Sequence, residues 1–232
     1  MRMGTEKSLE QRTGILYGDV TFEPRADYYG EDKRLYTFDK SLERVRAAGH
    51  VRHPRPSEVF SLLIANLEDE LTSEQESVAE DMLKSYGEWL SAAVETKTEG
   101  KIFSREKRSL SVYFDPLLEW DGKKYVWKNG TPTYAKKQEF DVTGRAAETW
   151  IDLGGFPDDF VLCMYGSQFK DLPPVMQQGD KRAQVYLPPD GQIWPVCRGN
   201  FSNRFNVYSY NYDYYCNYYG ASRGVVPSAR EK

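Results

Sequence analysis

Residue types that commonly carry out catalysis are few in this chain. Its two histidines, His50 and His53, lie three residues apart beside Arg52 and Arg55, with no cysteine or carboxylate near them in sequence. Because a metal site needs a cluster of such ligands, we interpret both as surface histidines at a proline-rich turn. A Ser-His-Asp or Cys-His arrangement would have to use one of the same two residues, and no other feature of the sequence supports one.

The acidic pairs and the first cysteine are no stronger as catalytic candidates. Glu68-Asp69-Glu70 is expected at a solvated helix end and Asp158-Asp159 in a turn, since nothing near them predicts perturbed pKa values. Gly154-Gly155 lacks the strand-to-helix setting of a phosphate-binding loop and is expected to form a turn. Cys163 lies in an apolar run and is expected to be a core residue. The sequence therefore predicts no catalytic residue, no metal ligand and no cofactor.

Length and composition narrow the class of protein. The 232 residues are 40% hydrophobic and 28% charged, which is typical of a soluble globular chain. A net charge of -4 argues against a mainly electrostatic nucleic-acid binder. No stretch approaches the roughly 18 apolar residues of a membrane span, and the N-terminus lacks the apolar core of a secretory signal. We therefore expect neither nucleic-acid binding nor direct membrane insertion, and the localisation stays open. The chain has three cysteines, Cys163, Cys197 and Cys216, which are too few for a disulfide framework.

Helical periodicity is confined to the first hundred residues. Residues 41–49 are predicted to form a short helix that is capped by Asp39 or Ser41 and ended by its final glycine. From Ser57, apolar residues recur with helical spacing and predict a second helix with one buried stripe. A capping-box pattern at Ser73 begins a third helix. Its predicted apolar face consists of Val78, Met82, Tyr86, Trp89, Leu90 and Ala93.

Later in the chain the pattern changes to the alternation of β-strands. Asp121-Gly122 and Asn129-Gly130 bracket Tyr125-Val126-Trp127, which predicts a hairpin. The short, continuously apolar run 160–165 predicts a strand buried on both faces. The other predicted strands are 15–22, 110–114, 140–142, 185–187 and 193–194. Helices in the N-terminal half followed by short strands predict a single α+β domain over residues 1–232.

A segment near the C-terminus differs in composition from the rest of the chain. Residues 200–222 read NFSNRFNVYSYNYDYYCNYYGAS and contain seven of the seventeen tyrosines, with five asparagines and three serines. A packed core does not need so many phenol hydroxyls, because each buried one requires a hydrogen-bond partner. Many of these tyrosines are therefore expected at the surface, where a contiguous aromatic patch usually marks an interaction site.

The same region lacks five amino acids. Between Trp194 and Glu231 there is no Lys, Glu, Gln, Met or Trp in 36 residues, although these types make up 52 of the 232 residues and about eight would be expected. They are the amino acids whose codons all end in a purine, so codons of the form NNT or NNC cannot encode them. The types that are present are among the products of randomising the two adenines of AAT or AAC, and such codons cannot mutate to a stop.

This pattern resembles the variable proteins of diversity-generating retroelements, in which adenine-directed mutagenesis rewrites one end of a target gene. Arg198-Gly199-Asn200-Phe201 resembles the Arg-Gly-Gly-aromatic entry of their variable regions, and Ser222-Arg223-Gly224-Val225 resembles the closing Arg-Gly-Val. The resemblance covers residues 194–226 and implies a variable ligand-binding region over 198–226. The preceding part of the chain is more similar to the divergent archaeal branch than to the phage and bacterial members.

The resemblance implies a C-type lectin fold. In that fold two helices accompany a small twisted antiparallel sheet that displays the variable region, which is compatible with the α+β class predicted above. Sugar-binding C-type lectins carry Glu-Pro-Asn and Trp-Asn-Asp motifs that ligate calcium, and neither occurs here. A calcium-dependent lectin activity is therefore not implied.

The implied function is non-catalytic binding of varied protein ligands on a cell or virus surface, by a chain expected to be a monomer. Tyrosine supplies rigid contact area, and asparagine and serine supply adaptable hydrogen bonds. The expected ligand-facing residues are Ser202, Asn203, Arg204, Asn206, Tyr208, Tyr210, Asn211, Tyr212, Tyr214, Tyr215, Cys216, Asn217, Tyr218 and Tyr219. The expected scaffold residues are Trp194, Arg198, Phe201, Arg223 and Gly224, the two arginines holding the ends of the segment by hydrogen bonds.

Two other interpretations remain open. A static tyrosine-rich module for carbohydrate or protein would be invariant in residues 200–222 from strain to strain. An enzyme of the same fold superclass, of the formylglycine-generating type, would need paired active-site cysteines, which the three cysteines do not obviously provide. Thiol labelling separates that enzyme from a binding protein, because a reactive pair has a lowered pKa.

Overall fold

Helices and strands are mixed along this chain, in an α+β arrangement as the sequence predicts. A computed structural model describes residues 14–26, 36–84, 87–145, 150–152, 156–171, 184–199, 207–209 and 222–227. The helices in these residues are α1 (Phe38–Ala47), α2 (Pro56–Leu67), α3 (Ser73–Lys84) and α4 (Asp158–Tyr165). The strands are β1 (Ile15–Tyr17), β2 (Val20–Phe22), β3 (Gly87–Ile102), β4 (Arg105–Phe114), β5 (Leu118–Trp120), β6 (Tyr125–Trp127), β7 (Lys136–Asp141), β8 (Trp150–Asp152), β9 (Gln184–Tyr186), β10 (Ile193–Gly199), β11 (Val207–Ser209) and β12 (Val225–Pro227). None of the helices in this part of the chain is long and apolar enough to cross a membrane.

The largest sheet has seven strands in the order β7-β4-β3-β10-β11-β9-β8. Its neighbours are antiparallel except β11 and β9, which are parallel, so the sheet is larger and less uniform than predicted. A second sheet, β1-β2-β12, pairs the first hairpin of the chain with the strand that follows the tyrosine-rich segment. β5 and β6 form the hairpin predicted between the two turn sequences.

The seven-stranded sheet is covered on both faces. On one face Leu90, Ala92 and Val94 of β3 pack in the main core with α2, α3 and α4. On the other face Trp89 and Ala93 belong to a second, aromatic cluster with residues of α1 and of the β5–β6 hairpin. A strand buried on both faces is apolar at successive positions rather than at alternate ones, as β3 is here.

The third predicted helix is shorter than the sequence pattern indicated. α3 ends at Lys84, and Trp89, Leu90 and Ala93 lie in β3 instead. The prediction was wrong there because a nearly continuous apolar run matches helical and strand periodicity alike. Tyr86 lies outside the described residues.

The strand predicted over 160–165 is a helix, α4. Phe160, Val161, Met164 and Tyr165 are buried, whereas Leu162 is 49% exposed, which is the pattern of one helical face. Asp158 and Asp159, expected in a turn, occupy the first turn of this helix, where carboxylates favour the positive end of the helix dipole. A six-residue apolar run does not distinguish a buried strand from a buried helix.

Strong local signals were interpreted correctly elsewhere. The helices expected from residues 41–49 and from Ser57 are α1 and α2, and Gly49 after α1 has a left-handed φ of +85°. The predicted cap of α1 is wrong, because the helix begins at Phe38 after Thr37 and so includes both Asp39 and Ser41. Residues 68–70 are exposed just beyond the end of α2, as predicted. The helices are not confined to the N-terminal half, however, because α4 lies between β8 and β9.

Candidate functional site

The tyrosine-rich segment follows β10, and the last residues of that strand are held in the core. Arg198 is fully buried, and its Nη2 donates a hydrogen bond to the carbonyl oxygen of Met82 in the last turn of α3. Trp194, in the same strand, is 9% exposed and stacks on Tyr186 with ring centroids 6.1 Å apart. Both expected scaffold residues therefore lie in the packed sheet that precedes the segment.

Arg223 fixes the chain where it returns from the segment. Its side chain is fully buried, and its Nε and Nη2 donate to the two carboxylate oxygens of Glu88, at 3.2 and 2.9 Å. Nη2 also donates to Asp81 Oδ2 at 2.6 Å, and Nη1 donates to the carbonyl oxygen of Glu23 at 2.5 Å. The guanidinium therefore joins α3, β3 and the end of the β1–β2 hairpin.

A second ion pair lies beside the first. Arg44 of α1 donates to both carboxylate oxygens of Glu23, at 2.5 and 2.6 Å, and to the carbonyl oxygen of Ser222 at 3.3 Å. The Gly224 amide donates to Glu23 Oε2 at 3.0 Å, and the Glu23 amide donates to the Gly224 carbonyl at 2.9 Å. We call the five charged residues that hold the return the anchor network; they are Glu23, Arg44, Asp81, Glu88 and Arg223.

Two buried residues of the anchor network, Glu23 and Arg223, keep their charges. Burial disfavours the charged form of Arg223, but the charges and hydrogen bonds of Glu88 and Asp81 outweigh this effect and hold the pKa of Arg223 above its ordinary value. Burial likewise disfavours the Glu23 carboxylate, but hydrogen bonds and charge from Arg44 hold its pKa below the ordinary value. Removing one partner would leave a buried charge without compensation.

Gly224 is required by the close approach of the backbone to His50. A Cβ on residue 224 would lie 2.5 Å from Cδ2 of the buried His50 ring, so one of the two must move. We expect Gly224→Ala to lower the free energy of unfolding by about 1–3 kcal/mol, the usual range for overpacking. Urea denaturation of both proteins measures the difference.

A double-mutant cycle provides the control for Gly224. In a His50→Gly background both the ring and the Cβ of His50 are removed, and the Cβ alone would lie 2.6 Å from the new Cβ, so Gly224→Ala should cost much less there. An equal cost in both backgrounds would show that the His50 ring is not the obstacle.

The two ends of the segment are attached to one part of the scaffold. Arg198 binds the end of α3 through Met82, and Arg223 binds Asp81 in α3 and Glu88 at the start of β3. Arg198 before the segment and Arg223 after it are therefore both held at the junction of α3 and β3, while Val207–Ser209 within it pairs with β10 as β11. Among the described residues, the contacts that fix the return of the chain come from Ser222 to Val225 and from scaffold residues upstream of β10.

The structure describes one residue of the expected ligand-facing set. Tyr208 lies in β11, opposite Cys197 of β10, and its neighbour Val207 is buried. The others lie outside the described residues, and they are Ser202, Asn203, Arg204, Asn206, Tyr210, Asn211, Tyr212, Tyr214, Tyr215, Cys216, Asn217, Tyr218 and Tyr219. The scaffold residue Phe201 lies outside them as well.

Sequence reasoning did not identify the partners of the two arginines. Glu23 and Glu88 are 200 and 135 residues from Arg223. The sequence feature that could have predicted such a partner is Glu88, a carboxylate directly before the mainly apolar run Trp89 to Val94. Since a buried charge is normally paired, such a residue predicts a buried cation as its partner.

The interpretation of the two histidines as surface residues is wrong. His50 is 8% exposed and His53 is fully buried, with Nε2 of His53 2.7 Å from Ser41 Oγ. The proline-rich turn lies against the sheet, because the Ser91 amide of β3 donates to the Pro54 carbonyl at 2.8 Å. No group of three His, Cys, Asp or Glu side chains that could hold a metal ion occurs in the described ranges.

Burial of His53 makes stability dependent on pH. Burial and the nearby positive charge of Arg44 lower the pKa of His53 to about 3, well below its ordinary value of 6.5. The unfolded chain therefore takes up this proton first as the pH falls. The contribution of His53 is complete above pH 6.5 and is lost progressively toward pH 3. Between pH 6.5 and about 4.5 we expect a loss of about 2–3 kcal/mol.

Urea denaturation at both pH values measures this loss. His53→Gln provides the control, since glutamine has no proton to take up and the variant should lose less stability over the same interval. An identical loss in the parent and in the variant would assign the acid sensitivity to other groups.

The two described cysteines are free thiols. Cys163 is partly buried, its Sγ donates to Gln138 Oε1 at 2.8 Å, and burial raises its pKa to about 12. Cys197 is fully buried in β10, and Cys216 lies outside the described residues. At neutral pH Cys163 is a thiol rather than the nucleophilic thiolate.

No family model, curated protein or solved structure matches this chain. Two features of the chain itself bear on its function. One is the composition of residues 200–222, and the other is the set of buried contacts that hold both ends of that segment.

Proposed function

We propose that this chain is a ligand-binding display protein, similar to the variable proteins of diversity-generating retroelements. In this proposal residues 198–226 form a region that adenine-directed mutagenesis rewrites, and the tyrosine-rich surface binds varied protein ligands without catalysis. The observation that carries the proposal is the composition of residues 195–230. Every residue there is of a type that a codon ending in T or C can encode. The fold proposed for the α+β scaffold is of the C-type lectin type.

The buried anchors support the proposal on physical grounds. A diversified protein must keep its fold whatever residues occupy the variable positions, so its stability has to come from contacts outside them. Arg198 and Arg223 make such contacts with Met82, Asp81 and Glu88, all of which precede the segment in sequence. Exposed substitutions away from these contacts change stability little.

The residues at the two ends of the segment are also ones that adenine-directed mutagenesis can leave unchanged. Arg, Gly, Val and Ser all have codons without adenine, whereas every Tyr and Asn codon contains it. We therefore expect the codons of Arg198, Ser222, Arg223, Gly224 and Val225 to carry no adenine in the gene. Arginine codons of the AGA or AGG type at either arginine would contradict the proposal.

Sequencing the locus tests the proposal directly. The gene should be accompanied by a near-copy of its 3′ end that differs almost solely where the copy has adenine, with a reverse-transcriptase gene close by. Clonal isolates should differ within residues 200–222 and agree in the anchor network. A locus with neither a template copy nor a reverse transcriptase would reject the proposal and favour a static tyrosine-rich module, for which glycan screening is the next experiment.

A further inference from the structure

The hairpin of β3 and β4 projects beyond the other strands of its sheet. Pairing of β10 with β3 ends at Glu95, and pairing of β7 with β4 ends at Ser109. The register between β3 and β4 continues to the pair Ile102–Arg105. The outer part of the hairpin is therefore a two-stranded ribbon that no other described strand flanks. Loop residues hydrogen-bond to its base, where the Gly144 amide donates to the Glu106 carbonyl and the Thr98 amide donates to Asp190. Beyond them the ribbon has two strands alone, an arrangement that is only marginally stable in water.

Phe103 stands at the tip of this ribbon. Its side chain is 95% exposed, the largest exposure among the large hydrophobic residues described. Phe103 and Ser104 both have left-handed backbones, with φ of 48° and 67°. Two-residue turns with positive φ favour Asn and Gly, because a bulky L-residue is strained there. Neither the turn nor the core requires a phenylalanine at this position, whereas a binding contact would.

The charges around the tip are positive. Lys101 and Arg105 flank the tip, are exposed, and form no ion pair with any residue of the described chain. Glu99 lies farther from the tip and pairs with Lys107 at 2.7 Å. Glu106 lies opposite Lys101 in the hairpin and pairs with Arg108 at 2.6 Å. Among the described residues, the tip therefore carries an excess of positive charge in a chain whose net charge is -4.

An open cavity of about 600 Å³ lies beside the ribbon. Its lining residues are Arg105, Glu106, Thr143, Gly144 and Arg145. The side chain of Arg105 packs over the turn after β7, with its Cδ 3.6 Å from the place that a Cβ on Gly144 would take. Two guanidinium groups thus border one cavity near the exposed phenylalanine, and guanidinium groups match the geometry of phosphate oxygens.

We propose that the tip of the β3–β4 ribbon docks on an anionic phospholipid surface. Phe103 enters the headgroup region, and Lys101, Arg105 and Arg145 contact lipid phosphates. An aromatic ring at the outermost point, flanked by two cations while the carboxylates of the ribbon pair with other cations, suits a charged interface better than it suits a protein pocket. One ring and three cations give weak, reversible binding that salt weakens. This inference does not depend on the proposed function.

The tip lies at the opposite end of β3 from the tyrosine-rich segment. Gly199 pairs with Gly87 at the start of β3, and Ile102 ends the strand at the tip. At about 3.3 Å per residue, the 16 residues of β3 span roughly 50 Å. A molecule docked by its tip would therefore hold its C-terminal segment away from the lipid surface.

Vesicle sedimentation with the full chain tests the proposal. We expect the protein to sediment with phosphatidylcholine vesicles that contain phosphatidylserine, not with pure phosphatidylcholine, and less at high salt. Each cation near the surface is worth roughly fivefold in binding, so Lys101→Glu/Arg105→Glu should weaken binding more than tenfold. Phe103→Ala should weaken it several-fold while leaving the thermal unfolding midpoint unchanged.

Two control variants make the same chemical changes elsewhere. Lys123→Glu/Lys124→Glu alters the net charge equally at the exposed β5–β6 turn, and Leu162→Ala removes an apolar side chain that is 49% exposed. Both should bind as the parent does. The proposal is overturned if phosphatidylserine vesicles do not bind the chain, if Phe103→Ala binds as tightly as the parent, or if the control charge reversal weakens binding as much as the change at the tip.

Discussion

Arg223→Met is expected to lower the free energy of unfolding by about 3–5 kcal/mol, the range for breaking a buried ion pair by removing one partner. Glu88 is fully buried and receives two hydrogen bonds from this guanidinium, and Asp81 receives a third. Methionine fills part of the volume but leaves both carboxylates without their cation. Denaturant unfolding followed by circular dichroism measures the loss.

Three further variants test whether the loss comes from the ion pair. Arg223→Lys keeps the charge but cannot bind two oxygens of Glu88 at once, so it should fall between the parent and Arg223→Met. Adding Glu88→Gln to Arg223→Met removes one uncompensated charge and should recover part of the stability. Arg145→Met, at an exposed arginine, should be nearly neutral. A loss below about 1 kcal/mol for Arg223→Met would contradict the role of the anchor network.

Trp89→Ala is the second change with a large expected effect. Trp89 is 2% exposed, packs edge-to-face on Phe38 with centroids 5.9 Å apart, and donates from Nε1 to the Tyr36 carbonyl at 2.9 Å. Deleting a buried aromatic side chain usually costs about 3–5 kcal/mol, because transfer energy is lost and a cavity remains. Trp194→Ala should cost several kcal/mol for the same reason, and thermal or denaturant unfolding measures both.

Tyrosines of the tyrosine-rich segment are the matched comparison. Tyr210→Ala and Tyr214→Ala remove aromatic rings of similar size, and under the display proposal each should change stability by no more than about 0.5 kcal/mol. They should instead alter ligand binding, where aromatic anchors contribute most. If either tyrosine variant unfolded the protein, the surface display of that segment would be refuted.

Local chemistry made part of the fold predictable. The β5–β6 hairpin follows from its Asp121-Gly122 turn, whereas Asn129-Gly130 lies in a 3-10 turn after β6. α2 follows from one apolar stripe. β3 was assigned incorrectly because its apolar run is buried on both faces of the sheet. α4 was assigned incorrectly because a run of six apolar residues is too short for its periodicity to distinguish a helix from a strand. Sequence alone does not show how deeply an apolar run is packed.

The two arginines that hold the ends of the segment could be predicted from the sequence, but the residues that they bind could not. The sequence indicated Arg198 and Arg223 as scaffold residues at the ends of the segment, since arginine offers several donors in a fixed geometry. Their partners are set by the tertiary fold, which brings Glu23 and Arg223 together across 200 residues of sequence. The same fold buries His53, which lies in a turn that looked exposed.

Because Arg223 follows the tyrosine-rich segment, an error that disrupts translation within the segment also affects the buried ion pairs of the scaffold. Asp81 and Glu88 are synthesised long before Arg223, so they lack this cation until the ribosome has passed through residues 200–221 in frame. A frameshift or premature stop inside that stretch removes Arg223 and β12 together. Such a product would leave carboxylates buried without a cation and would be exposed to proteolysis. Pairing of the Glu88 and Asp81 carboxylates with Arg223 therefore requires translation in frame through the whole tyrosine-rich segment.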